Sequence, residues 1–63
     1  MKLKEFRKSL GISQLEAANQ LSVSKDVYAS WEYNIRIPRP QNMKEITNWS
    51  NGKVQPNDFY LSE

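Results

Sequence analysis

The sequence predicts an all-α protein, a compact bundle of four to five short helices, on three observations. Four successive segments carry apolar residues at the helical repeat of i, i+3, i+4 and i+7. Each segment is bounded by residues that start and stop helices. Alternating apolar and polar runs, the mark of a strand, are nearly absent. The chain has 63 residues, which suits a single domain spanning residues 1–63. A chain this short buries only about 60% of its unfolded surface, so modest stability and help from self-association are expected.

The elements follow in order. Leu3, Phe6, Arg7 and Leu10 form the first stripe, with Arg7 its one charge. Gly11 should stop that helix in the left-handed conformation. Ser13 and Glu16 have the spacing of a capping box, so a second helix starts at Ser13 or Gln14. Leu15, Ala18 and Leu21 are expected on its inner face, and Ser22 closes it. Val23 is expected buried inside the turn. Ser24 is a good N-cap for a third helix, from Lys25 to about Tyr33. Tyr28 and Trp31 mark its inner side, and Asn34 should end it. In "IRIPRP", Pro38 and Pro40 hold their predecessors extended, giving a stiff connector. A fourth helix is expected to open at Gln41 or Asn42, with Met43, Ile46 and Trp49 facing one way. Asn51–Gly52 ends it, Lys53–Val54 is expected extended, and "PNDFY" reads as one helical turn with Phe59 as a plug.

The interruption at "SVS", Ser22 to Ser24, breaks a stretch that is otherwise a good helix. Two helices joined by so few residues at a large angle form a helix-turn-helix, here about residues 13–34. Ala18 faces the next helix, where a larger side chain would push the axes apart. With Tyr28 and Trp31 anchored inward, Lys25, Asp26, Ala29, Ser30 and Tyr33 are left on the outer side. That face is short and hydrogen-bonding, unlike the Glu/Lys ladder of a merely solvated helix. A projecting helix of this kind fits the DNA major groove, which displays a distinct donor and acceptor pattern for each base pair.

Composition narrows the classes. There is no cysteine and no histidine, so disulfides, thiolate or imidazole metal ligands and histidine-based catalysis are excluded. No catalytic pair is recognisable, and neither enzyme activity, cofactor, metal site nor small-molecule ligand is expected. No apolar run is long enough for a membrane span, and the charged start "MKLKEFRKSL" is unlike a signal peptide. The expected location is the cytoplasm of a bacterial or phage-infected cell, with the nucleoid. Net charge is only +2, but it is unevenly spread. No acidic residue lies between Glu32 and Glu45, whereas Arg36, Arg39 and Lys44 do, and Lys2, Lys4, Arg7 and Lys8 crowd the start. The connector's freedom from acids makes Arg36 and Arg39 candidate phosphate contacts.

From Leu3 to Ile46 the chain resembles the Cro/repressor-type helix-turn-helix family of phage and bacterial regulators, the xenobiotic-response-element family. The resemblance rests on "LGISQ" (Leu10–Gln14), Ala18, "LSVS" (Leu21–Ser24), "WE" (Trp31–Glu32) and the run Pro38, Pro40, Met43, Ile46. It implies a repressor-like bundle that binds double-stranded operator DNA, as a homodimer at least when on DNA. It implies that Gln14 reaches a backbone phosphate and that Arg7 pairs with Glu32. It puts base reading on Ser24, Lys25, Asp26, Val27 and Ser30, and phosphate contact on Tyr33, Asn34, Arg36 and Arg39. The sequence departs from the pattern in three places. Ser22 stands at the turn glycine, Tyr28 at a small aliphatic, and Tyr33-Asn34-Ile35-Arg36 at a basic Gly-Lys-Arg.

Each of these residues also has a structural reading. Tyr28, Trp31, Met43, Ile46 and Trp49 sit at core spacing rather than as stacking platforms. Ser13 and Ser24 are caps first. Asp26 suits a helix N-terminus on electrostatic grounds alone, and would repel phosphate. The function expected is sequence-specific DNA binding by a small Cro-like repressor. The alternative is a protein-interaction module, such as an antitoxin or a recruiting subunit.

Overall fold

The computed structural model describes residues 1–60, and five helices account for most of them. They are α1 (Leu3–Leu10), α2 (Gln14–Gln20), α3 (Lys25–Glu32), α4 (Pro40–Trp49) and α5 (Asn57–Tyr60). No strand occurs among the described residues, and the fold is all-helical and contains the helix-turn-helix.

Start signals act as hydrogen-bond acceptors for the free N–H groups of the first turn. The Ser13 side chain accepts from Glu16 N at 3.1 Å, and Ser24 accepts from Val27 N at 3.2 Å. At α1, Glu5 Oε1 accepts from Lys2 N at 3.2 Å. α4 begins one or two residues earlier than expected, at Pro40. Proline's missing N–H is no loss at the first helical position, and its fixed φ suits it, so Pro40 belongs to the helix rather than to the connector.

α2, α3 and α4 end alike. The residue after each C-cap is left-handed: Ser22 at φ 61, Asn34 at φ 60 and Asn51 at φ 54. Paired bonds then close each end, Val23 N to Ala18 O at 3.0 Å with Ser22 N to Asn19 O at 3.1 Å, and Ile35 N to Ser30 O at 2.9 Å with Asn34 N to Trp31 O at 3.3 Å. Gly52 N to Thr47 O at 2.8 Å and Asn51 N to Asn48 O at 3.2 Å repeat the pattern after α4. This double closure consumes carbonyls a helix end would otherwise leave unpaired. The corner between α2 and α3 is therefore a built turn. Ser22 is the weak member, since a side chain in the left-handed region costs roughly 1–2 kcal/mol. Ser22→Gly should raise stability by about 1 kcal/mol, and the melting temperature by about 4–8 °C. An unchanged or lower melting temperature would show that Ser22 does more than hold its backbone angle.

The core is Leu3, Phe6, Ala17, Ala18, Leu21, Tyr28, Trp31, Met43, Ile46, Val54 and Phe59. α2 and α3 make the most extensive helix pair. Ala17 and Ala18 are fully buried there, so the small-residue requirement covers two positions rather than one. Leu15, expected inside, is 53% exposed. The true inner stripe of α2 is Gln14, Ala17, Ala18, Leu21, and Leu15 lies one position off it. Leu10, expected on the inner stripe of α1, is likewise exposed, and Val23 is only partly buried against the core.

On α4 the buried stripe is Met43, Ile46 and Ser50, with Trp49 at its edge. The Trp49 ring meets Phe6 edge-on at 5.0 Å, and its Nε1 donates to Gln20 Oε1 at 2.8 Å. Lys53–Val54 is a bend rather than an extended segment. Ser50 Oγ accepts from Val54 N at 3.0 Å and draws the chain around the end of α4, which buries Val54 completely. Phe59 enters the core from α5 while Tyr60 is exposed. The tail's aromatic content is thus half consumed by the domain itself.

Candidate nucleic-acid interface

Three polar residues occupy inner-stripe positions on three helices, and they meet. Arg7 of α1 donates from Nε to Glu32 Oε2 at 2.7 Å and from Nη2 to Glu32 Oε1 at 3.4 Å. Its Nη1 donates to Ile12 O at 2.8 Å. Gln14, at the start of α2, donates from Nε2 to Glu32 Oε1 at 2.9 Å and to the Tyr33 hydroxyl at 3.4 Å. The Glu32 side chain is 0% exposed and that of Arg7 12%. One carboxylate at the end of α3 therefore ties down α1 and the start of α2, while Arg7 also holds the loop between them.

Burial by itself raises the Glu32 carboxyl pKa. The hydrogen bonds from Arg7 and Gln14, with the Arg7 charge, outweigh burial and hold it below its ordinary value. The folded carboxyl thus ionises more readily than the unfolded one, and protonation favours the unfolded chain. Its contribution to stability is whole above the ordinary value of 4.5 and is lost as pH falls through the lower folded value. The gap in melting temperature between wild type and Glu32→Gln should therefore be widest near neutral pH and narrow in acid, as pH falls below the ordinary value of 4.5 and through the lower folded value. A gap that stays constant over that range would contradict the depressed carboxyl.

Tyr28 lies beside this pair. Its ring is fully buried and meets Trp31 at a centroid distance of 6.2 Å. Its buried hydroxyl feels both Arg7 and Glu32 but makes no hydrogen bond of ordinary geometry among the described residues. Burial, followed by the Glu32 carboxylate, pushes its pKa well above the usual phenol value.

With Tyr28 and Trp31 turned inward, the start of α3 faces solvent. Ser24, Lys25 and Asp26 are exposed, and Val27 and Ser30 are half-buried. The hydroxyls of Ser24 and Ser30 already have local partners. Ser24 is the N-cap, and Ser30 Oγ donates to Val27 O at 2.6 Å, so each retains only part of its hydrogen-bonding capacity. Asp26, Val27, Ser30 and Arg36 line one shallow recess. Arg36 comes to this face because its N–H donates to Ser30 O at 3.2 Å, folding the connector back over α3. Tyr33, Asn34 and Arg39 are exposed as well, Tyr33 at the C-cap of α3 and Arg39 at the N-cap of α4. Two apolar residues stand among them, Ile35 at 73% and Ile37 at 50% exposure.

Sequence reasoning missed Ala17, Ser50 and Val54 as buried positions. It also did not foresee that Gln14 bonds within the protein. Taking Gln14 as the first member of the stripe Gln14, Ala17, Ala18, Leu21 would have pointed to both the buried alanine and the inward amide.

Short helices at a built corner, a solvent-facing start to the second of them and an ion pair locking that helix to α1 are the features of a helix-turn-helix domain. A helix-turn-helix family model matches residues 3–48, and the chain belongs to the Cro/C1-type helix-turn-helix family, the xenobiotic-response-element family. It is a family of DNA-binding domains rather than of enzymes, and it makes DNA the partner and transcription regulation the setting. Comparisons with curated proteins and with solved structures gave no match. No helix among the described residues is long and apolar enough to cross a membrane.

Proposed function

We propose that this chain is a small Cro-like transcriptional repressor that reads a two-fold operator as a homodimer, in the cytoplasm of a bacterial or phage-infected cell. The observation that carries the reading is the solvent-facing start of α3, where Ser24, Lys25 and Asp26 are exposed and Val27 and Ser30 are half-buried beside them. In a helix-turn-helix the start of the second helix meets base edges, and dimers place two such helices about 34 Å apart. Lys25 and Asp26 offer opposite hydrogen-bonding character, suited to guanine and cytosine respectively. Arg36 and Arg39, with Tyr33 and Asn34, are assigned to the sugar–phosphate backbone, which fixes register without reading sequence. A single module of this size has a small footprint, so doubling it on a symmetric site supplies both affinity and specificity.

Sedimentation with and without a duplex taken from upstream of the protein's own gene tests the dimer. Two chains per two-fold site is the expected result, and one chain per site contradicts it.

Ile35 and Ile37 favour a second reading. Both are exposed, Ile35 within the segment where the family pattern is basic, and exposed apolar patches mark protein-interaction sites. In that reading the chain is an antitoxin or recruiting subunit, and the same face binds a protein. Failure to shift any duplex would move the assignment there.

A further inference from the structure

Gln14 stands at the position from which the family pattern sends a side chain to a DNA phosphate, yet both of its amide hydrogens are already used. Nε2 donates to Glu32 Oε1 at 2.9 Å and to the Tyr33 hydroxyl at 3.4 Å. The amide cannot be turned around. Ionised Glu32 only accepts hydrogen bonds, so a flipped amide would set its carbonyl oxygen against a carboxylate. What remains of the Gln14 side chain is a carbonyl oxygen, which cannot bond to a phosphate oxygen.

Tyr33 is in the complementary state. Its hydroxyl oxygen accepts from Gln14, which leaves its own hydrogen without an acceptor among the described residues. The residue is 58% exposed. It sits at the C-cap of α3, at the edge of the reading face and next to the start of α2. The donors run in one direction: Arg7 and Gln14 both donate into Glu32, and Gln14 donates onward to Tyr33. Hydrogen bonds in such a chain polarise one another.

Resting on the DNA-binding reading above, we infer that Tyr33 supplies the hydroxyl that binds a DNA phosphate at the junction of α2 and α3, and that the Gln14 side chain does not touch DNA but positions that hydroxyl. Gln14 is held in turn by Glu32, so the ion pair that stabilises the fold also fixes the phosphate donor. The contact is neutral, which separates it from those of Arg36 and Arg39. It adds affinity on every sequence without displacing a counterion.

The test is a double-mutant cycle on a short random-sequence DNA duplex, with dissociation constants measured over a salt series. Tyr33→Phe removes only the hydroxyl from an exposed ring. It should weaken binding about tenfold, the usual effect of one hydrogen bond to a charged group. The log–log salt slope should not change, because no cation leaves the interface. Gln14→Met keeps the length and removes the donors. It should weaken binding, though by no more than Tyr33→Phe does, and the double variant should bind as Tyr33→Phe alone; Gln14→Met binding as wild type would show that Gln14 positions nothing. If the two losses multiply in the double variant, Gln14 has its own DNA contact and the relay is wrong. If Tyr33→Phe binds as wild type, the hydroxyl does not meet a phosphate and the inference is overturned while DNA binding stands. If wild type binds no duplex, the DNA-binding reading falls and takes this inference with it. Thermal melts accompany the cycle. Should Gln14→Met be unfolded at the assay temperature, Tyr33→Phe decides alone, its loss at unchanged melting temperature supporting the contact and its indifference refuting it.

Discussion

Arg7→Ala is expected to lower the free energy of unfolding by about 3 kcal/mol, the lower part of the range for removing one partner of a buried ion pair. The reason is the position of the charge left behind. The Glu32 side chain is fully buried and draws three of its hydrogen bonds from Arg7 and Gln14. Without Arg7, the carboxylate keeps one amide donor and no positive charge. A surface pair would be worth about 1 kcal/mol at most, so the size of the effect tells the two situations apart. A domain of this length has a total stability of only about 3–9 kcal/mol. The variant should therefore lose a third or more of it, with a fall in melting temperature of about 12–24 °C. The Nη1 bond to Ile12 O at 2.8 Å is lost as well, which loosens the loop leading into α2. Thermal unfolding of Arg7→Ala measures this, and an unchanged melting temperature would reduce the pair to a surface contact.

The second large effect is on DNA. Lys25 lies in the exposed first turn of α3, where its ammonium can reach the O6 and N7 of guanine. Lys25→Ala should remove about 1–3 kcal/mol of discrimination at one base pair of each half-site and leave binding to random DNA largely intact. Arg36→Ala and Arg39→Ala should instead weaken binding almost equally on every duplex, each flattening the log–log salt slope by about 0.9. Arg36 should matter more than Arg39. It shares a recess with Asp26, Val27 and Ser30 at the start of α3, whereas Arg39 stands farther along the connector at the N-cap of α4. Salt titrations on an operator, a single-base variant and a random duplex separate these classes. An equal loss for Lys25→Ala on all three would make Lys25 a grip rather than a reader.

How much of this was legible in the sequence depended on whether the signal was local. Ser13 and Ser24 cap the helices they precede, and Asn34 and Asn51 stop theirs, because each acts within a few residues of itself. The outward set on α3 was legible for the same reason, since fixing Tyr28 and Trp31 inward fixes the rest by periodicity. Leu15 misled because an apolar residue was preferred to polar Gln14 as the start of the inner stripe of α2. What makes Gln14 an inner residue is Glu32, eighteen positions away, and no local period reveals that partner. Ser50 was passed over likewise, being a polar residue whose burial is made tolerable by bonds to Thr47 O and Val54 N. Lys53–Val54 looked extended because alternation carries no information about a serine hydroxyl bending the chain around a helix end. Local chemistry thus placed the helices and the outward side of α3. The buried polar links that hold them at a fixed angle needed the fold.

The central claim is that the first turn of α3 reads double-stranded DNA. The most direct measurement is equilibrium selection of this protein on a duplex pool with a randomised core, followed by sequencing of the bound fraction. The account predicts one enriched sequence with two-fold symmetry, its half-sites about one helical turn apart, and loss of the preference at one position of each half-site with Lys25→Ala. A bound fraction no different in sequence from the input pool, or an enriched motif that Lys25→Ala leaves unaltered along with substitutions of Asp26 and Ser30, would contradict it.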